Sequence, residues 1–160
     1  MGFYSLMKHG GEWNIYADPL TTKIMFNSDI PLKIVSLDGS DDFYIGSADV
    51  SAAHNGTGPG LELLSKPWEQ SRSWWGGDFK IWDIVADVAV TNPEHFTWEF
   101  DEVDVVAEPG SNYEQTIALG KGSVTSNFSY STDYDAVRRT IFEVLKSSAG
   151  LSAYPFHHLL

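Results

Sequence analysis

The stretch Gly11-Glu12-Trp13-Asn14-Ile15-Tyr16-Ala17-Asp18-Pro19 decides how the fold is read. Taken as a strand that ends where a helix begins, its alternation puts Glu12 and Asn14 on one face and Trp13 and Ile15 on the other. Asp18 is a good N-cap type, and Pro19 suits the first helical position, where its missing N–H has no intrahelical partner to lose. The stretch then reads as strand, polar rim and helix start. Ligands bind at the carboxyl edge of an α/β sheet, so Glu12 and Asn14 are candidates for holding a small polar molecule. The plainer reading is that both are ordinary loop-polar residues.

Working outward, Leu20, Ile24, Met25 and Phe26 fit one face of a short helix that Asn27-Ser28-Asp29 closes before Pro31. Leu32-Lys33-Ile34-Val35-Ser36-Leu37 is β-branched and mostly apolar, as expected of a strand covered on both faces, and Asp38-Gly39-Ser40 ends it. With the opening stretch this makes a β-α-β unit, the unit of a parallel sheet. Between Ser40 and Gly77 the periodicity weakens. Asp41, Asp42, the run Gly56-Thr57-Gly58-Pro59-Gly60, a short patch at Leu61, Leu63 and Leu64, and then Trp68, Trp74 and Trp75 predict a loop-rich segment. Its tryptophans suit a wall against an apolar ring, or equally a satellite hydrophobic cluster.

In Ile81-Trp82-Asp83-Ile84-Val85-Ala86-Asp87-Val88-Ala89-Val90, Asp83 reads as an N-cap, with Ile84, Val85, Val88 and Ala89 on the buried side of a helix that Asn92-Pro93 stops. Taken alone, Asp83 is a cap before it is a ligand. From Thr97 the pattern alternates. Thr97–Phe100 and Val103–Glu108 predict strand, Pro109-Gly110-Ser111-Asn112 a turn, and Glu114 to Leu119 a return strand. Gly120-Lys121-Gly122 turns again, and Val124–Tyr130 reads as the third strand of a small antiparallel appendage. Thr132 caps a last helix, Asp133–Lys146, with a stripe of Tyr134, Val137, Ile141, Phe142, Val144 and Leu145. Residues 1–146 are thus expected to form one domain, and the aperiodic tail 147–160 is expected to be poorly ordered.

Composition narrows the function. The 160 residues are 42% hydrophobic, enough for a real core. Twenty-two acidic against 10 basic residues give a formal charge of −12, which argues against nucleic acid as a partner and suits a cation or a neutral polar ligand. No cysteine is present, so neither disulfides nor thiolate metal sites arise. Met1–Lys8 lacks the apolar run of a signal peptide, Gly2 lacks a myristoylation context, and no window reaches a membrane span. The expectation is a soluble, cytoplasmic protein with no membrane partner.

Several apparent motifs fail. Asp38, Ser40 and Asp42 suggest an EF-hand loop, but Phe43 stands where its sharp turn needs glycine. The glycines of Gly56–Gly60 are wrongly spaced for a dinucleotide fingerprint, and Gly120-Lys121-Gly122-Ser123 lacks the rest of a P-loop. His9, His54, His95, His157 and His158 never fall at zinc-site spacing. Asn55-Gly56-Thr57 and Asn127-Phe128-Ser129 match the glycosylation acceptor, which means little without a secretion signal.

Glu12-Trp13-Asn14-Ile15-Tyr16-Ala17-Asp18-Pro19, a helix, and then Ile30-Pro31-Leu32-Lys33-Ile34-Val35-Ser36-Leu37-Asp38 resembles the central signature of the inosine/uridine-preferring nucleoside hydrolases. Phe79-Lys80-Ile81-Trp82-Asp83, opening an alanine-containing helix that ends Thr91-Asn92-Pro93, looks like that family's later aspartate-bearing helix. The resemblance spans roughly Gly10 to Leu145 and implies an α/β fold, an open, mostly parallel sheet with helices on both faces, plus the antiparallel appendage. It also implies hydrolysis of the N-glycosidic bond of ribonucleosides to free base and ribose, with a calcium ion orienting the attacking water. By resemblance Glu12 and Asn14 bind ribose hydroxyls, and Asp83 is a calcium ligand that also reaches the sugar. Trp82 takes the place of either a base-protonating histidine or a base-stacking tryptophan. Stacking suits it better, since an indole N–H is a poor proton donor. Trp74 or Trp75 as a second wall of the base pocket is our own addition.

The departures from the family are large. Its aspartate-rich Asp-x-Asp-x-x-x-Asp-Asp motif, source of most calcium ligands and of the catalytic base, is not in this sequence, and Met1–Gly11 contains no asparagine to match the one usually upstream of Glu-x-Asn. One carboxylate cannot hold calcium well, so calcium is expected only if the missing ligands are supplied. The expectation is therefore a partial nucleoside hydrolase, inactive by itself, that exposes apolar surface and forms a homo-oligomer or joins a complementing chain. The alternative is a non-catalytic nucleoside- or ribose-binding module.

Overall fold

A computed structural model describes residues 12–100, 102–111, 113, 115–120 and 126–147. In chain order these form helices α1 (Trp13–Ala17) and α2 (Pro19–Phe26), strand β1 (Leu32–Ile34), helices α3 (Leu37–Ser40), α4 (Ser47–Asn55), α5 (Pro59–Trp75) and α6 (Trp82–Thr91), a 3-10 turn (Pro93–His95), strands β2 (Phe96–Phe100), β3 (Glu102–Val105), β4 (Thr116–Gly120) and β5 (Ser126–Thr132), and helix α7 (Tyr134–Lys146). They fall into two compact units, one drawn from Met1–Asp41 and Phe96–Thr132, the other from Asp42–His95 and Asp133–Leu160. The expected tail beyond Ser147 and the turn at 121–125 lie outside the described residues.

The first unit holds a mixed three-stranded sheet, ordered β1-β5-β2, and a separate β3-β4 hairpin. β1 runs parallel to β5, with Ile34 opposite Phe128, and β2 runs antiparallel to it. The α/β class is as expected, but two details of topology differ. The opening stretch is no strand: Tyr16 N–H donates to the Glu12 carbonyl at 2.8 Å, closing a helical turn. Five residues are too few to separate a period of two from one of 3.6. Consequently β1 finds its parallel partner in β5. The segment assigned to a third appendage strand is the centre of the main sheet, because strand partners are chosen by long-range packing.

α2 begins as its sequence predicts. The Asp18 carboxylate accepts from Thr21 N–H at 2.9 Å and from its hydroxyl at 2.8 Å, and Pro19 takes the first position. Its inward side carries Pro19, Thr22, Lys23 and Phe26, whereas Leu20, Ile24 and Met25, expected inside, are exposed. Lys23 reaches the Asp104 carboxylate on β3 at 3.2 Å and the Val105 carbonyl at the same distance. Where a turn was expected at Asp38–Ser40, α3 lies close on β5. A Cβ on Gly39 would stand 2.7 Å from the Ser129 carbonyl oxygen, and Ser36 donates to that oxygen at 3.0 Å.

In the second unit the expected loop-rich segment is mostly helix. Leu61, Ser65 and Trp68 are buried along one side of α5, a spacing of four and three that its glycines, its prolines and polar neighbours obscure in the sequence. Gly58 starts this helix at φ +148°, with no room for a side chain against the Lys146 backbone. Gly76 ends it in the left-handed region at φ +71°, donating to the Ser73 carbonyl, while Gly77 donates to that of Arg72. Trp68 meets Phe142 edge-on at 6.0 Å and is core. α7 is capped by Asp133, whose carboxylate accepts from Ala136 N–H at 2.9 Å, one residue later than the expected Thr132. Its Val137 and Ile141 are buried, Val144 is exposed, and Arg138 binds the buried Asp49 carboxylate of α4 while lying over the Phe43 ring. No helix among the described residues is long and apolar enough to cross a membrane.

Candidate functional site

The first unit carries Glu12 and Asn14. Glu12 is the N-cap residue of α1, with extended backbone (φ −64°, ψ 147°), and its side chain makes no capping bond there. Instead its carboxylate turns to the start of α3, where Oε1 accepts from Leu37 N–H at 2.8 Å. Burial holds the Glu12 carboxyl above the ordinary carboxylate range, the Leu37 amide opposes that rise, and the Asp38 charge adds to it. Asn14 is exposed on the second residue of α1. The single-face arrangement expected of a strand is therefore replaced by an extended, half-buried Glu12 followed by an exposed helical Asn14. The Leu37 amide was missed by sequence reasoning, because a backbone N–H leaves no mark in the residue pattern.

The second unit carries Trp82, Asp83, Trp74 and Trp75. Asp83 sits in the first turn of α6, but it is not the cap. Ile81 precedes the helix and accepts from Ile84 and Val85 N–H at 3.1 and 3.2 Å through its carbonyl. The exposed Asp83 carboxylate is thus free of the capping role expected of it. Its neighbour Trp82 is 38% exposed, and Trp74 and Trp75 project from the last turn of α5 at 75% and 70% exposure. Val85, Val88 and Ala89 anchor α6, and Asn92 closes it, as its sequence predicts.

Among the described residues, no three histidine, aspartate or glutamate side chains gather as a metal site. Calcium takes roughly six to eight oxygens. Asp83 offers one carboxylate, so the residues present do not by themselves fit that ion. What the Glu12 environment can do is simpler: a carboxylate with one oxygen fixed by a backbone amide is a pre-oriented acceptor for hydroxyl groups.

No family model matches the sequence, and no curated protein matches it. Solved structures do match. A purine-preferring ribonucleoside hydrolase from Gardnerella vaginalis aligns with a TM-score of 0.70 at 20% identity, over 91% of this chain and 50% of its own. An inosine-guanosine nucleoside hydrolase aligns with a TM-score of 0.75 at 14% identity, over 87% and 47%. An inosine-uridine preferring nucleoside hydrolase from Bacillus anthracis aligns with a TM-score of 0.69 at 14% identity, over 91% and 49%. The chain thus spans about half the length of the structures it matches. It has the α/β fold of the nucleoside hydrolases over about half of that fold.

Proposed function

We propose that this chain is nucleoside-hydrolase-like, recognising ribonucleosides, and that hydrolysis of their N-glycosidic bond needs groups supplied by a completing polypeptide. The observation that carries the reading is the Glu12 carboxylate, held by Leu37 N–H at the start of α1 in a chain with this fold. In the first unit, Glu12 and Asn14 accept from and donate to ribose hydroxyls. In the second, Trp82 stacks on the base, with Trp74 or Trp75 as a further stacking surface, and Asp83 contributes one calcium ligand once other ligands are supplied. This chain's own residues bind and orient the nucleoside, and the substrate class reaches from inosine to uridine.

A second reading is a non-catalytic nucleoside- or ribose-binding module. It is favoured by the absence, among the described residues, of any group of three histidine, aspartate or glutamate side chains able to hold a metal ion. Release of free base from inosine and uridine, with and without calcium, distinguishes the two. Calcium-dependent release by the chain mixed with the unmatched half of a nucleoside hydrolase, lost in Asp83→Ala, supports the enzyme. Absence of release by that mixture, with the chain folded and still binding inosine, leaves the binding module.

A further inference from the structure

We propose that Asn55, at the end of α4, is a site of slow self-modification in which the Gly56 backbone nitrogen converts the asparagine side-chain amide to a carboxylate. Asn55-Gly56 is the only asparagine-glycine pair in the 160 residues. In such a pair the second residue has no side chain to shield its backbone nitrogen from the asparagine Cγ. Packing demands that glycine. A Cβ at position 56 would stand 2.8 Å from the Ala52 carbonyl oxygen, a backbone atom, and 2.5 Å from Cδ1 of the buried Leu61. A helix protects an asparagine when it keeps the next N–H engaged, and at the end of α4 that protection is missing. α2 closes with the Asn27 N–H donating to the Lys23 carbonyl, and α5 closes with left-handed Gly76 donating to the Ser73 carbonyl. Gly56 is extended instead (φ −79°, ψ 161°), and among the described residues its N–H makes no hydrogen bond. The last turn of α4 is therefore unsealed and opens at local cost. Other asparagines are better guarded: Asn27 is exposed, but the Ser28 N–H after it donates to the Met25 carbonyl at 3.1 Å, and Asn92 precedes Pro93, which has no N–H to lose.

The reaction needs only water. When the turn opens, the Gly56 nitrogen gives up its proton to solvent and attacks Asn55 Cγ. The new N–Cγ bond closes a succinimide ring, the Cγ–Nδ2 bond breaks, and ammonia leaves. Water then opens the ring on either side, giving aspartate where it adds at Cγ and isoaspartate where it adds at the main-chain carbonyl. Both products place a new negative charge at the C-terminal end of α4, where the helix dipole disfavours it, on a chain already at −12. Isoaspartate also lengthens the main chain by one carbon just before Gly56, where Leu61 and the Ala52 carbonyl leave no slack. Each conversion is one-way and weakens the join between α4 and α5.

Peptide mapping by mass spectrometry tests this on the full chain, held folded in mildly alkaline buffer and sampled over time. The Asn55 peptide is expected to exchange the mass of NH for that of O before any other asparagine peptide changes, as separate aspartate and isoaspartate forms. Aged wild type is expected to melt below fresh wild type. Asn55→Gln, whose longer side chain closes the ring far more slowly, is expected to lose both the conversion and the ageing shift while keeping its circular dichroism, Asn55 being exposed. An Asn55 peptide that stays unchanged in the folded chain yet converts in urea overturns the proposal, because α4 would then be holding the amide out of reach. Earlier conversion at Asn27 overturns it too. Aspartate without isoaspartate would show direct hydrolysis by water and contradict the attack by Gly56.

Discussion

The Glu12 carboxylate and the Leu37 amide, 25 residues apart in sequence, meet at 2.8 Å and tie the start of α1 to the start of α3. That bond fixes the position of a candidate sugar-binding group and opposes the rise in its pKa that burial causes. Burial disfavours its charge, and Asp38 adds to that effect.

The first prediction concerns pH. The Glu12 pKa is raised above its ordinary 4.5 in the folded chain, so its contribution to stability is fully present below about that pH and is lost as pH rises through the folded value. Glu12→Gln keeps an oxygen for Leu37 N–H and removes the titration. Its melting temperature should exceed that of wild type at pH 7, with the gap closing towards pH 4. Glu12→Ala leaves the amide unpaired and should be less stable than Gln by about 1 kcal/mol. A Gln variant less stable than wild type at pH 7 would contradict the assignment.

A second prediction addresses the close approach of α3 to β5. The Cβ of Gly39→Ala would stand 2.7 Å from the Ser129 carbonyl oxygen, a backbone atom that cannot swing aside. Urea denaturation should show a loss of about 1–3 kcal/mol, typical of overpacking. Ser129→Ala in the same chain should restore only part of it, because the backbone clash remains.

The cap of α7 gives a third. Asp133→Ala removes the acceptor for Ala136 N–H and should cost about 1 kcal/mol, whereas Asp133→Asn should cost less, and Thr132→Val should leave the cap intact while losing the Thr132 hydroxyl's bond to the Gly39 carbonyl. Hydrogen exchange at the Ala136 amide in the three variants decides which residue begins the helix.

The elements that could be read from sequence are those whose signals are local. Asp18-Pro19 announces α2, Asn92-Pro93 stops α6, and Pro109, Gly110 and Ser111 lie between β3 and β4. The opening stretch misled because Glu12, Trp13, Asn14 and Ile15 alternate in polarity as neatly as a strand while being one helical turn. α5 was hidden by glycine and proline at its start and by Pro67 within it, and only packing of Leu61 and Trp68 reveals its period. The partner of β1 lies more than 90 residues away in β5, and nothing local in Leu32–Ile34 names it. Of the candidate site, only the helix of Trp82 and Asp83 could be read, whereas the helices of Asn14 and of Trp74 and Trp75, the Leu37 amide and the non-capping Asp83 came from the fold.

Trp82 separates base recognition from sugar recognition. Under the proposed function, Trp82→Ala should weaken inosine binding by about three- to tenfold, the worth of one aromatic stacking contact, and leave free ribose unaffected. Equal weakening of both ligands would place Trp82 in a structural role instead.

The central claim is that Glu12 and Asn14 hold ribose. Isothermal titration of ribose into the folded chain tests it most directly. The account predicts a measurable heat of binding that is lost in Glu12→Ala and Asn14→Ala while both variants keep their wild-type circular dichroism. No heat with the wild-type chain, or binding that both variants retain, would contradict it.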